Sequence, residues 1–220
     1  MQKINSVEKE TKQAPVTFYA EMTPNPSTMK FVANIALIDY GKTVEYATVE
    51  ETEDSPLATR LFSFPFVTKV FISNNFITLT KNDSIEWQDV FSEIREYVTN
   101  YMVSGHPVFK DSAKLSESVE EKVENEAATP TESNSVITHV EPKSDKELQI
   151  VQILEEYVRP AVESDGGAIH FSKYEPGKLT VVLKGACSGC PSSSQTLKNG
   201  IQGLFDQMMP EVKEIVALEE

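Results

Sequence analysis

The residues best equipped for chemistry are Cys187 and Cys190, the only cysteines among 220 residues. They lie in Gly185-Ala186-Cys187-Ser188-Gly189-Cys190-Pro191-Ser192-Ser193, separated by two residues, so both sulfurs can be aimed at one point. Three chemistries use such a pair: ligation of an iron–sulfur cluster, ligation of zinc, or reversible disulfide formation. The flanking residues show what must position it. Residues 178–184 are apolar and β-branched and predict a strand. Pro191 suits the first position of a helix, where a missing N–H costs nothing. Cys190 is then the expected N-cap, with Cys187 in the loop before it. Both sulfurs would sit near the positive end of a helix dipole, which favours thiolate over thiol. Gly185, Ala186 and Gly189 leave room for a bulky group, and N–H groups in such a loop can donate to anionic sulfur.

The surrounding elements follow from periodicity and punctuation. Ser144 and Glu147 have the spacing of a capping box, and Leu148, Val151, Leu154, Val158, Ala161 and Val162 then share a helical face. Pro160 is expected to kink that helix or mark its last turn. Asp165-Gly166-Gly167 predicts a turn, and residues 168–174 and 178–184 a hairpin across Glu175-Pro176-Gly177. After the cysteine loop, Leu197, Ile201, Leu204, Phe205 and Met208 define a helical face that ends at Pro210. Residues 212–218 predict a last strand. The order α-β-β-α-β implies a small three-stranded sheet with helices on one face. Strand alternation puts His170 on the side opposite Ile169 and Phe171, toward solvent.

In the first half, residues 16–22 predict a strand broken by Thr23-Pro24-Asn25-Pro26, since neither proline can donate to a ladder. Residues 29–38 predict another strand, with 44–49 pairing to it. Ser55 is expected to cap a short helix begun by Pro56. Residues 66–72 and 76–80 predict a hairpin around Ser73-Asn74-Asn75. Asp83 and Glu86 have capping-box spacing for a helix with Trp87, Val90, Phe91, Ile94, Val98 and Tyr101 on one face. Gly105 and Pro107 end it, with His106 between them.

The formal net charge of −14 argues against nucleic acid and anionic membrane surfaces as partners, since both call for basic patches. Residues 111–145 carry 9 acidic and 3 basic side chains and almost no aromatic ones. Such a composition buries too little apolar surface to offset the entropy of ordering. It is expected to be an acidic flexible linker, with His139 inside it, between a domain at 15–110 and another at 146–220. The fold class is therefore α+β in two small domains. A single CxxC pair is no secreted disulfide framework and suits a reducing compartment. The first ten residues have neither the apolar core of a signal peptide nor the arginines of a transit peptide. No apolar run is long enough to span a bilayer. A cytoplasmic protein of bacterial type is the expectation.

Several of these stretches, taken in order, resemble the C-terminal domain of NifU-like (Nfu-type) iron–sulfur scaffold and carrier proteins. They are Leu154-Glu155-Glu156-Tyr157-Val158-Arg159-Pro160-Ala161-Val162, Asp165-Gly166-Gly167, the cysteine loop from Gly185 to Ser193, and Thr196-Leu197-Lys198-Asn199-Gly200-Ile201. The first half resembles the Nfu N-terminal domain through Thr23-Pro24-Asn25-Pro26, Lys30-Phe31, Ser55-Pro56-Leu57-Ala58, Leu61-Phe62, Val67, Val70-Phe71, Phe76-Ile77-Thr78 and Trp87. Two positions depart from the family pattern: Ala168, where an acidic residue is usual, and Phe66, where glycine is frequent.

The resemblance implies a non-enzymatic protein that holds an iron–sulfur cluster through Cys187 and Cys190. The cluster would be 4Fe–4S, the usual form, or 2Fe–2S. It would come from an upstream assembly scaffold and pass to apo-protein clients. A cluster normally takes four thiolates and one chain offers two, so this reading requires a twofold homodimer bridged by the cluster. Two rivals stay open. A zinc-binding adaptor that shares zinc across a dimer has the same ligand count. A dithiol–disulfide oxidoreductase of thioredoxin type would place CxxC early, ahead of a long βαβ region, whereas 30 residues follow Cys190 here.

Overall fold

The computed structural model describes residues 15–110, 139–188 and 191–219. The expected linker residues 111–138 and Cys190 lie outside the described residues.

The first half builds a five-stranded antiparallel sheet from β1 (Phe18–Met22), β2 (Thr28–Ala33), β3 (Thr43–Tyr46), β4 (Val67–Ser73) and β5 (Phe76–Lys81), in the order β1-β2-β5-β4-β3. The two prolines between β1 and β2 leave Asn25 to close the turn. Its carbonyl accepts from Thr28 N at 3.0 Å and its side-chain oxygen from Ser27 N at 3.0 Å. The β4–β5 hairpin forms where the sequence predicts it, with Asn74 at φ 36° and Ser73 facing Phe76.

Alternation sorts this sheet into two faces. Phe31, Val44, Tyr46, Val70, Ile72, Ile77 and Leu79 form the core with α1 (Pro56–Leu61) and α2 (Trp87–Val103). Ser55 caps α1 as expected, accepting from Ala58 N at 3.2 Å. Three expectations change. Helix α2 starts at Trp87 and not at Asp83, because Asn82 captures Ser84 N at 3.0 Å in a local turn and Glu86 makes no side-chain cap. Strand β2 stops at Ala33, beyond which Leu37 and Ile38 instead donate to Asn74 O. Strand β3 pairs with β4 and not with β2.

The second half has the order and layering expected from the sequence. Ser144 Oγ accepts from Glu147 N at 3.3 Å and starts α3 (Asp145–Ile153). The chain then passes through a π-helical turn (Leu154–Val158) into α4 (Arg159–Ser164). Pro160 explains the widened turn: its ring occupies the space of the carbonyl four residues back, so the ladder spreads to admit it. Strands β6 (Gly167–Glu175) and β7 (Lys178–Gly185) form the antiparallel hairpin. Helix α5 (Pro191–Met208) then leads to β8 (Glu214–Glu219), parallel to β7. Ile169, Phe171, Val181, Leu183 and Ile215 line the face covered by Ile150, Leu154, Val162, Ile201 and Phe205 from the helices. His139 and Val140 extend the edge of β6, with Phe171 N donating to His139 Nδ1 at 2.7 Å and Val140 N to Phe171 O at 3.0 Å.

Each sheet thus has one face under its own helices. The other two faces meet: Val32, Phe71 and Phe76 from the first sheet enclose Ala168 of β6. Among the described residues no helix is long and apolar enough to cross a membrane.

Candidate metal centre

The cysteine loop leaves β7 at Gly185, whose φ of 66° is left-handed and unfavourable to any side chain. A tight turn follows, in which Ser188 N and Ser188 Oγ both donate to Gly185 O, at 3.1 and 3.0 Å. This turn directs Cys187 inward, and it joins the hydrophobic core at 5% exposure. The sequence predicts a loop position for it, and nothing there foretells its burial. The reason for the difference lies twenty residues upstream. A Cβ added at Gly167 would stand 2.6 Å from Cys187 Sγ and 2.6 Å from Lys184 O, so the missing side chain of Gly167 is the space that holds the sulfur. Gly166, with φ 83°, makes the bend, and its carbonyl accepts from Ala186 N at 3.1 Å. Asp165-Gly166-Gly167 is therefore more than the turn its composition predicts. Two adjacent glycines opening a strand are the available signal for a close approach. Helix α5 begins at Pro191, as its fixed φ requires, and the Cys190 site itself lies outside the described residues.

The first domain reaches the same loop. Thr78 Oγ1 donates to Gly166 O at 2.7 Å, Asn25 Nδ2 to Ala186 O at 3.3 Å, and Gly185 N to Glu45 Oε1 at 3.3 Å. Lys184 Nζ stands 3.7 Å from Glu45 Oε2, with both side chains buried. Burial pushes the Glu45 carboxyl above its ordinary range, against the pull of Lys69 and Lys184. The Phe71 ring lies where a side chain at Gly185 would go, 2.8 Å from that position. Lys30 Nζ donates to Ser164 O at 3.4 Å. Asn25, Lys30, Phe71 and Thr78 fall in stretches that carry the resemblance, but nothing in the sequence shows that they, or Glu45 and Lys184, meet across two sheets. Only their placement on the second sheet face marks them.

His170 corrects a further expectation. Alternation does put it opposite Ile169 and Phe171, but that side is covered by the first domain and not by solvent. His170 is 1% exposed, with Nε2 hydrogen-bonded to Thr43 Oγ1 at 2.9 Å. Burial, reinforced by nearby His139 and Arg159, lowers its pKa to about 3. Close by, Arg159, 1% exposed, donates from Nε to both oxygens of Glu155 at 2.8 and 2.7 Å and from a terminal nitrogen to Glu163 at 3.4 Å. His139 Nδ1 accepts from the Phe171 amide, which leaves Nε2–H to donate to Glu155. Burial alone would raise Glu155, yet the hydrogen bonds from Arg159 and His139 outweigh it and hold its carboxyl below the ordinary range. One guanidinium thus faces two carboxylates, and burial pushes the Glu163 carboxyl above its ordinary range. Among the described residues no three His, Cys, Asp or Glu side chains converge as a metal-binding group.

Comparison with known proteins matches both halves. Residues 18–105 match the family described as scaffold protein Nfu/NifU N terminal, and residues 150–216 the NifU-like domain. The chain is 31% identical over 193 residues to the NFU1 iron-sulfur cluster scaffold homolog, mitochondrial, of Drosophila willistoni. That alignment covers 88% of this chain and 60% of the relative. It is 34% identical over 195 residues to NifU-like protein 4, mitochondrial, of Arabidopsis thaliana, covering 88% and 62%. The chain thus spans about three fifths of the length of these relatives. A solution structure of a NifU-like protein from Saccharomyces cerevisiae aligns with 49% of this chain and 95% of its own, at 21% identity and a TM-score of 0.40.

Proposed function

Because the chain belongs to the Nfu/NifU-like family of iron–sulfur cluster scaffolds, with an Nfu N-terminal domain followed by a NifU domain, we propose that two copies hold one cluster between their cysteine loops and pass it to apo-proteins. The observation that carries this reading is the placement of Cys187 on the loop joining β7 to the start of α5, with its sulfur seated where Gly167 has no side chain. Cys187 and Cys190 are the ligands. Each thiol must lose its proton to bind iron, and a nearby helix N-terminus lowers the cost of doing so. With two thiolates from each chain, a twofold dimer completes four. Transfer is ligand exchange: each iron–cysteine bond that breaks is replaced by a bond to a thiolate of the acceptor, and no net oxidation or reduction is required. Nothing in this cycle calls for a catalytic residue.

The cluster is 4Fe–4S in this reading, supplied by an upstream scaffold in the cytoplasm. The acidic segment 111–145 joins the domains at 15–110 and 146–220 and serves as a tether up to His139, from which point it runs along the edge of β6. Its composition supports the tether, and the confinement of cysteine to one CxxC pair supports a reducing compartment.

The test is anaerobic reconstitution of the full chain, read by absorbance, by iron and sulfide content, and by mass from light scattering. The expected product is a dimer with sulfur-to-iron charge-transfer bands and four irons per pair of chains. Cys187→Ser or Cys190→Ser should abolish the bands, since each change removes two of four thiolates. A coloured monomer carrying four irons overturns the shared cluster. A colourless dimer that takes up zinc selects the zinc adaptor instead. Retained bands in either serine variant mean other ligands.

A further inference from the structure

The second face of the N-terminal sheet ends on the cysteine loop, and it does so mostly through polar groups. Thr78, Asn25 and Glu45 each bond a main-chain atom of the C-terminal domain: Gly166 O, Ala186 O and Gly185 N. Those atoms belong to the two segments that enclose the Cys187 sulfur. A main-chain partner cannot be released by a change of its own rotamer. On the loop side, these bonds break only when the backbone moves or the sheet withdraws. Glu45 also faces Lys184, the residue just before the loop.

We propose that this sheet face is a docking surface for the cysteine loop of its own chain, and that it holds Cys187 in its inward position until the domains part. The consequence for cluster loading rests on the carrier reading: a cluster shared between chains needs the sulfur turned outward, and Cys187 is 5% exposed here. Docking and loading then oppose each other, and the opposition is reciprocal. Whatever docking subtracts from cluster affinity, the bound cluster subtracts from docking. The interface is built to be left. Its apolar part is small, consisting of Val32, Phe71, Phe76 and Ala168. It also buries His170 Nδ1 without a hydrogen-bond partner among the described residues, and Glu45 Oε2 with only the Lys184 ammonium, 3.7 Å away, facing it. That cost is recovered when the domains part and water reaches both atoms.

The experiment uses the full chain in a Cys190→Ser background, where Cys187 is the sole thiol. The rate of alkylation by iodoacetamide is read by mass spectrometry, without any cluster. Glu45→Lys sets two cations against each other, Lys184→Glu sets two carboxylates against each other, and the double exchange restores an opposite pair. Each single variant should label about tenfold faster, the factor expected for losing one buried polar contact, and the double variant should return toward the parent rate. Ala168→Asp, which puts a charge among Val32, Phe71 and Phe76, should also label fast. Circular dichroism confirms that each variant is folded. If a charge variant unfolds, Thr78→Val takes its place, removing one hydroxyl at nearly constant volume. Equal labelling rates across the folded variants overturn the clamp. Parallel reconstitution with Cys190 present separates the two readings. No chromophore in any chain removes the carrier function, while the labelling rates still decide whether the domain clamps the loop.

Discussion

Gly167→Ala puts the sulfur's seat to the sharpest test. The added methyl would lie 2.6 Å from Cys187 Sγ, 2.6 Å from Lys184 O and 3.0 Å from Cys187 Cβ. The sulfur can rotate away. Lys184 O cannot, because it belongs to the β6–β7 ladder, where Gly167 faces Gly185 and Ala168 faces Lys184. Relief requires the hairpin itself to spread. Overpacking of this kind costs about 1–3 kcal/mol, and the fixed carbonyl puts this case at about 2–3 kcal/mol. For a domain of this size each kcal/mol lowers Tm by about 4–8 °C, so the second domain should melt on the order of 10 °C earlier. The control is Gly203→Ala in α5, where the same methyl meets nothing within 4 Å. Removing glycine from a helix there should gain about 0.5–1 kcal/mol. Far-UV circular dichroism follows both domains. Fluorescence of Trp87, the single tryptophan, reports on the first alone and should melt nearly unchanged in the control. A Gly167→Ala chain that melts within about a degree or two of the parent refutes the close approach of Lys184 O to this glycine, and with it the tight seat in which the sulfur lies.

Arg159→Leu leaves Glu155 and Glu163 without their shared cation; since Glu155 is partly solvated, the expected loss is about 2–3 kcal/mol in urea unfolding, and a loss below about 0.5 kcal/mol would mean the cluster is only a surface network. His170 titrates near pH 3 in the fold, below its ordinary value, so the unfolded chain binds its proton first. Its contribution to stability is full above about pH 6.5 and shrinks toward pH 3, by up to about 1.4 kcal/mol per pH unit. His170→Asn should flatten the fall in urea midpoint between about pH 7.5 and 5, and parallel slopes in parent and variant would show that the ring is not held neutral. Ser144→Ala removes the bond to Glu147 N that starts α3 and should cost about 1 kcal/mol of the second domain's stability, measured in the same melts.

What is legible in the sequence follows a physical line. Strands and helices that bury one face are readable, because alternation and a 3.6-residue period record that burial directly: Ile169 with Phe171, Leu197 with Ile201, Ile94 with Val98. The proline starts and the hairpins are readable because backbone chemistry allows few residues there. The start of α2 is not, because Asp83 and Glu86 have the spacing of a cap, while the competing bond from Ser84 to Asn82 has no comparable signature.

The cysteine pair is legible for a different reason: sulfur chemistry belongs to the side chain itself and needs no fold to be recognised. What surrounds it is not legible. Gly167 matters through atoms it lacks, and their absence counts only because Cys187 folds back over it from twenty residues on. His170 shows the same limit from the other side. Alternation tells which face of β6 it occupies, but whether water or another sheet covers that face depends on Val32, Phe71 and Phe76, more than ninety residues earlier. Glu45 and Lys184 look like solvated charges on strand ends until the two faces meet, and then both are buried. A buried pair of this kind costs more to break than it adds in making, because desolvation nearly cancels the attraction. It therefore does less to glue the domains together than to select one register between them, the register that places Asn25 on the loop of Cys187 and Thr78 on the Gly166 bend beside it.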